Sequence, residues 1–134
     1  MSLEKLLGTW RVDMRHVALD QPAIGQQRYE RALDGAFVLL TSTNQHPDIP
    51  DALALLTDTA YHYFDVRGVV RTYDLTFTDD GWEMIRRDPD FWQRSAVRFD
   101  GSNAMRDTGE NSHDGGQTWE HDYDIAYERL AQPG

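Results

Sequence analysis

The sequence predicts an all-β protein in which nine or ten antiparallel strands close into an up-and-down barrel. Three observations predict this fold. The chain contains 17 Asp residues, and Asp favours turns over helix and strand interiors. Turn signals such as Asp80-Gly81 and Asp100-Gly101 recur every 9 to 14 residues from Asp80 onward. The segments between these turns alternate apolar and polar side chains, which is typical of strands that bury one face.

This alternation predicts nine strands. They lie near residues 8–18, 25–33, 36–44, 59–67, 69–79, 82–88, 91–99, 103–112 and 117–129. The last strand has the clearest period of two, and one of its faces carries Trp119, His121, Tyr123, Ile125 and Tyr127.

Two short helices are expected beside the strands. Residues 2–7 have Ser2 as a capping residue and Gly8 as a stop signal. Residues 50–56 begin with Pro50, whose fixed φ suits a first helical turn. The side chains that this second helix would bury are Leu53, Leu55 and Leu56.

A closed barrel is favoured because sequential strands must hide their edges while burying one face, although a two-sheet sandwich is the alternative. Polar residues among the aromatics on the expected inner faces indicate a mixed interior. A barrel of about eight or more strands has room for one small ligand.

Composition excludes several classes of function. The 134 residues suit one domain spanning 1–134, and a net charge of −10 disfavours binding to nucleic acid or an anionic membrane. The absence of Cys excludes disulfides and thiolate chemistry. The N-terminus carries no secretory signal pattern, and no apolar run reaches the roughly 20 residues that span a bilayer, so a cytoplasmic protein is expected.

The opening segment Leu6-Leu7-Gly8-Thr9-Trp10 places a Gly-x-Trp at the head of the first strand. This segment resembles the signature of the calycin superfamily, which includes lipocalins and fatty-acid-binding proteins. The closing hairpin, residues 114–119, is similar to that of small bacterial lipocalin-like domains of unassigned function. The resemblance implies that Trp10 closes one barrel end with Arg129 packed across it, a cation–π arrangement. It implies a fold and a cavity, but no particular ligand.

Candidate ligand-binding residues include three of the five histidines. If Trp10 faces inward, so does His16, and the Trp119 face would bring His121 into the same interior. His62 is a further candidate if its face, and not that of Tyr61 and Tyr63, points inward. Such residues bind a polar group or transfer a proton near neutral pH, and the alternative is that they are ordinary hydrogen-bonded interior or rim residues.

Further candidates come from the middle strands and the last strand. One of Arg86 and Arg87 is expected to face the cavity, where Arg86 would hold a carboxylate, or else the pair belongs to a solvated outer face. Tyr73 and Tyr123 complete the candidate ligand contacts. The segment 44–51 is a candidate lid or dimer contact, because a long connection in a tight meander is often functional.

No metal site or cofactor is expected. The histidines lack the spacing of a three-ligand site, and the glycine-rich opening of haem-binding calycin-like barrels is absent. Motifs of serine hydrolases, phosphate loops and dinucleotide-binding folds are missing as well.

The sequence therefore favours a protein that binds a small, mostly apolar or aromatic molecule inside the barrel. One alternative is an enzyme of isomerase, cyclase or lyase type that transfers protons. Its candidate residues are His16, His62, His121, Tyr123 and Arg86. The other alternative is a filled barrel that acts through its surface as a homodimer or interaction module.

Overall fold

The computed structural model describes residues 3–131, which form one closed antiparallel barrel of ten strands. Each strand pairs with its neighbours in the chain, and the first strand pairs with the last. This confirms the predicted all-β barrel. No helix among residues 3–131 has the length and apolarity to cross a membrane. The elements are a 3₁₀ helix at Leu3–Leu6, β1 Gly8–His16, β2 Ala23–Ala32, β3 Phe37–Asn44, β4 Ala52–Leu56, β5 Ala60–Asp65, β6 Val70–Phe77, β7 Gly81–Asp88, β8 Phe91–Phe99, β9 Ala104–Ser112 and β10 Glu120–Arg129.

The helix predicted over residues 50–56 is wrong, because this segment contains strand β4. Its side chains alternate, with Ala54 and Leu56 fully buried and Leu53 43% exposed. The strand pairs with β3 on one side and β5 on the other, so it fills the gap that would otherwise leave two sheet edges open. The predicted N-terminal helix is present as the 3₁₀ helix, and its expected capping residue Ser2 lies outside the described residues.

The strand register divides the barrel interior into two ends. At the closed end, where β1 begins and β10 ends, the inward side chains are apolar and pack into the core. At the open end, where β1 ends and β10 begins, polar side chains lie among apolar ones. The buried core at and near the closed end comprises Leu6, Trp10, Val12, Tyr29, Val38, Leu40, Leu56, Leu75, Trp82, Val97 and Met105.

Trp10 and Arg129 lie together at the closed end. Trp10 is fully buried and its indole N–H donates to the Leu6 carbonyl oxygen at 2.9 Å. The Arg129 guanidinium carbon lies 4.2 Å from the centroid of the Trp10 ring. The same guanidinium donates to the carbonyl oxygens of Lys5 at 2.8 Å and Ser102 at 3.1 Å. These contacts join the 3₁₀ helix, the β1–β10 seam and the β8–β9 turn.

We expect Trp10→Phe to lower the free energy of unfolding by about 1–3 kcal/mol, because it leaves the buried Leu6 carbonyl without its donor and shrinks a filled site. Urea and thermal unfolding measure this loss. Trp92→Phe is the matched control, since Trp92 lies on the outer face and is only half-buried. An equal loss in the two variants would contradict a special contribution from the closed end.

Candidate functional site

A cavity of about 270 Å³ lies at the open end of the barrel. Apolar side chains such as Met14 and Ile125 line it together with polar ones such as Ser42 and Asn44. Ile49 and Pro50, from the segment predicted as a lid or dimer contact, form part of its wall. The cavity therefore combines a mainly apolar lining with a few polar groups, which is the usual composition of a small-molecule site.

The connection between β3 and β4 is fastened at its two ends. Asp51 accepts a hydrogen bond from the Asn44 backbone N–H at 2.9 Å, and the Asn44 side chain donates to the Pro50 carbonyl at 3.2 Å. These bonds fix the residues of this connection that line the cavity.

His16 faces the cavity and is held by two hydrogen bonds. Its Nδ1 accepts from the Ala18 backbone N–H at 3.0 Å, and its Nε2 lies 2.9 Å from Asp122 Oδ1. In neutral imidazole the proton is therefore on Nε2, which donates to the carboxylate. Both ring nitrogens are engaged within the protein, so His16 shapes the cavity wall as an oriented group.

His121 does not face the interior, and its predicted position beside His16 is wrong. The β9–β10 register shifts between His121 and Tyr123, because a β-bulge adds one residue to β10. His121 lies opposite Glu110 on the outer face, and its Nε2 is 2.9 Å from Asp124. The extra residue, Asp122, lines the cavity in its place.

Trp119, the first residue of the predicted inward face, also lies outside the barrel, because it precedes the bulge. Trp119 precedes β10 and packs outside the barrel, where the Arg94 guanidinium carbon lies 3.8 Å from its ring centroid. The face from Tyr123 through Ile125 to Tyr127 does point inward, as the alternation predicts.

His62 faces outward, and its candidacy as a ligand contact depended on an inward face. Its Nδ1 lies 3.3 Å from Thr72 Oγ1 on the outer surface. Tyr61 and Tyr63 take the inner face of β5, since they pair with the buried Leu56 and Ala54 of β4. The sequence left these two faces of β5 as alternatives.

Arg86 faces inward and Arg87 outward, as expected for neighbours on a strand. The Arg86 guanidinium donates to Gln93 Oε1 at 3.0 Å and forms an ion pair with Asp88. Tyr73 donates to the same Gln93 oxygen at 3.4 Å, and burial raises the pKa of its hydroxyl. Because Asp88 already neutralises Arg86, Arg86 itself offers no free positive charge to a ligand carboxylate.

Asp107 is an interior residue that the sequence reading missed. It lies at mid-height on β9 between Val97 and Ile125 and is 6% exposed. Burial raises the pKa of its carboxyl to about 7, and the Tyr123 hydroxyl, which donates to Oδ2 at 3.5 Å, opposes this rise. The signal was present in the alternation of β9, which puts Asp107 on the same face as Met105.

Tyrosines surround Asp107 in the interior. The chain places Tyr29, Tyr61, Tyr123 and Tyr127 there, and burial raises the pKa of every one of these phenols, with the Asp107 charge adding to the rise. The phenols are therefore neutral at physiological pH. The Tyr29 hydroxyl donates to Gln27 Oε1 at 3.2 Å.

Several buried polar atoms of the interior have no hydrogen-bond partner among residues 3–131. They are Trp82 Nε1, Ser95 Oγ, Asp107 Oδ1 and Asn111 Oδ1. Ser95 lies on β8, diagonal to Asp107, and its hydroxyl lowers the pKa of the Asp107 carboxyl. Unsatisfied groups of this kind cost about 1–3 kcal/mol each, so native proteins keep few of them.

Within the described part of the chain, no group of three or more His, Asp or Glu side chains is arranged to hold a metal ion.

A scan against models of protein families found no match, and neither did a search of curated proteins. Solved structures do resemble the chain. Rv2717c from M. tuberculosis aligns with a TM-score of 0.65 and 13% sequence identity, over 96% of this chain and 95% of that one. The S-type phycobiliprotein lyase CPES from Guillardia theta aligns with a TM-score of 0.62 and 7% sequence identity, over 98% of this chain and 92% of that one. EF1p2_mFAP2b bound to DFHBI aligns with a TM-score of 0.53 and 13% sequence identity, over 95% of each chain.

At these identities the likeness shows a shared fold. The neighbours are lipocalin-like and calycin-like barrels, and the chain has the same closed ten-stranded architecture. The calycin-like resemblance carried by the Gly-x-Trp opening is therefore confirmed at the level of the fold.

Proposed function

We propose that this protein binds a small, mostly apolar or aromatic molecule in the open end of its barrel. The observation that carries the proposal is the cavity of about 270 Å³, whose apolar lining includes a few oriented polar side chains. Ligand pockets commonly measure roughly 300–1,000 Å³, so this cavity suits a compact molecule such as one with one or two rings.

The structural neighbours support the same conclusion by analogy. One of them holds DFHBI, and another is a phycobiliprotein lyase. Shared fold does not fix function, so the cavity of this chain carries the argument and the neighbours add to it.

The cavity favours binding over the two alternatives. An enzyme that uses histidine for proton transfer has less support, because His62 and His121 face outward and both nitrogens of His16 are engaged. A filled barrel acting through its surface is less favoured because of the interior space. Formation of a homodimer, with segment 44–51 as its candidate contact, stays a prediction.

Filling the cavity tests the proposal. We expect the wild-type protein to retain a stoichiometric small molecule in native mass spectrometry, or to gain thermal stability from members of a library of fatty acids and aromatic compounds. Ser42→Phe places a ring in the cavity and should weaken such binding at least tenfold, as measured by the thermal shift.

Thr43→Phe is the control, because Thr43 is exposed on the outer face of the same strand. The proposal fails if Ser42→Phe and Thr43→Phe bind equally well, or if the wild-type protein carries no compound and responds to none.

Asp107 gives the unliganded barrel a characteristic pH dependence. Burial raises its pKa to about 7 in the folded protein, whereas an exposed Asp in an unfolded chain titrates near about 3.9. Between these values the folded protein holds a proton that the unfolded chain has released. The contribution of Asp107 to stability is therefore present at low pH and is lost as the pH rises to about 7.

We expect Asp107→Asn to remove this loss, because the amide keeps the size of the side chain and carries no charge. The free energy of unfolding of the variant, minus that of the wild type, should grow by roughly 2–4 kcal/mol between pH 4 and pH 7 and then level off. Urea unfolding across this pH range measures it. The control for net charge alone is Asp74→Asn, whose carboxylate is exposed. A difference that stays constant with pH would refute this account of Asp107.

A further inference from the structure

We propose that the interior around Asp107 binds a protonated amine of the ligand, so that the barrel selects small aromatic or apolar cations. This inference rests on the proposed function and deepens it. The binding group is the interior carboxyl cluster, which we define as Asp107, Ser95 and Tyr123.

The cluster is a built part of the interior and not a surface feature. Asp107 is 6% exposed and Ser95 is 5% exposed, and both side chains face inward at mid-height. Neither Asp107 Oδ1 nor Ser95 Oγ has a hydrogen-bond partner among residues 3–131. A carboxylate and a hydroxyl in this state can accept hydrogen bonds from an ammonium group, which has donors and no acceptor.

No cation of the described chain neutralises Asp107. None of the ion pairs among residues 3–131 includes it. The titratable groups that act on it are the Tyr123 phenol and the outward Asp124 carboxylate, both from β10. Asp107 in turn acts on Tyr29 from β2, Tyr61 from β5 and Tyr127 from β10. The surroundings therefore contain phenols and carboxylates without a positive charge.

Several other interior charges contrast with Asp107 because they have partners, whereas Arg71, which lies opposite Tyr63 on the inner face of β6, is in no ion pair among residues 3–131. Arg86 pairs with Asp88, His16 with Asp122, and Asp65 with Arg67. A ligand anion would have to displace Asp88 from Arg86, whereas a ligand cation meets an uncompensated carboxyl at Asp107. Around Asp107 the distribution of charge thus favours a cation over an anion.

The phenol rings add a second source of attraction. Aromatic faces attract cations, and the effect is stronger in a desolvated site. Tyr123 and Ile125 line the cavity, the Tyr123 hydroxyl donates to Asp107 Oδ2 at 3.5 Å, and Ile125 pairs with Asp107 across β9 and β10, so the cluster lies directly behind the cavity wall. A ligand can therefore place its ring among the apolar side chains of the cavity and extend its amine toward the cluster.

Binding of an ammonium requires the ionised form of Asp107. Because its carboxyl has a pKa of about 7 in the free protein, most of it holds a proton at pH 6 and most is ionised at pH 8. Amine binding is then about tenfold weaker at pH 6 than at pH 8, since affinity follows the ionised fraction.

Three near-isosteric probes test the inference: 2-phenylethylamine, 2-phenylethanol and phenylacetate. Each has one aromatic ring, and their end groups are positive, neutral and negative. Titration of the full-length protein, followed by NMR of the backbone amides at pH 8, should give an affinity for the amine at least tenfold above that for the alcohol. Phenylacetate should bind most weakly.

Asp107→Asn should reduce the affinity for the amine to that for the alcohol, while the affinity for the alcohol stays unchanged. Asp124→Asn is the matched control, because it removes a nearby carboxylate on the outer face and should preserve the preference. If Asp107→Asn does not fold, the tenfold loss of amine affinity between pH 8 and pH 6 in the wild type carries the same information.

Equal binding of amine and alcohol, or a preference for phenylacetate, overturns the inference and leaves cavity binding intact. The inference is also overturned if none of the three probes binds. The proposed function itself is then judged separately, by the bound compound and by the Ser42→Phe comparison.

Discussion

Pairing of the first strand with the last is the constraint on which the rest of this structure depends. Trp10 lies opposite Arg129 across a seam whose two strands are at opposite ends of the chain. Once this seam forms, every strand has two neighbours and the sheet has no edge. Closure also makes one face of each strand an interior face. Because ten strands enclose more space than their side chains fill, packing concentrated at the closed end leaves the cavity at the other.

The polarity of the interior follows from this unequal filling. At the closed end apolar burial and the Trp10–Arg129 contact stabilise the barrel. Towards the open end the interior holds polar groups, and most of its charged ones are matched by partners such as Asp122 for His16 and Asp88 for Arg86. Asp107 is different, since it is buried with one weak hydrogen bond and no opposite charge. Retaining such a residue lowers the free energy of unfolding. Destabilising groups of this kind occur where a protein trades stability for binding.

The fold was predictable because its signals are local. Turn residues and alternation identify nine of the ten strands, and Gly-x-Trp marks the start of β1. Strand β4 was not predicted because Ala and Leu favour helices, and only pairing with β3 and β5 makes Ala52–Leu56 extended.

The candidate site was less predictable than the fold. Which face of β5 points inward depends on register, and one residue inserted at the bulge exchanges His121 for Asp122. Asp107 becomes visible only when β9 is set against Ile125 and Val97.

The bulge in β10 also changes the electrostatics of the barrel mouth. Without it, His121 would join His16 in the interior, and the mouth would carry two imidazole rings. With it, the carboxylate of Asp122 lies there and holds His16. A chain of net charge −10 already attracts cations and repels anions at long range. The surface charge and the uncompensated Asp107 at mid-height therefore act in the same direction, and both favour a cationic ligand with an apolar body over an anionic one.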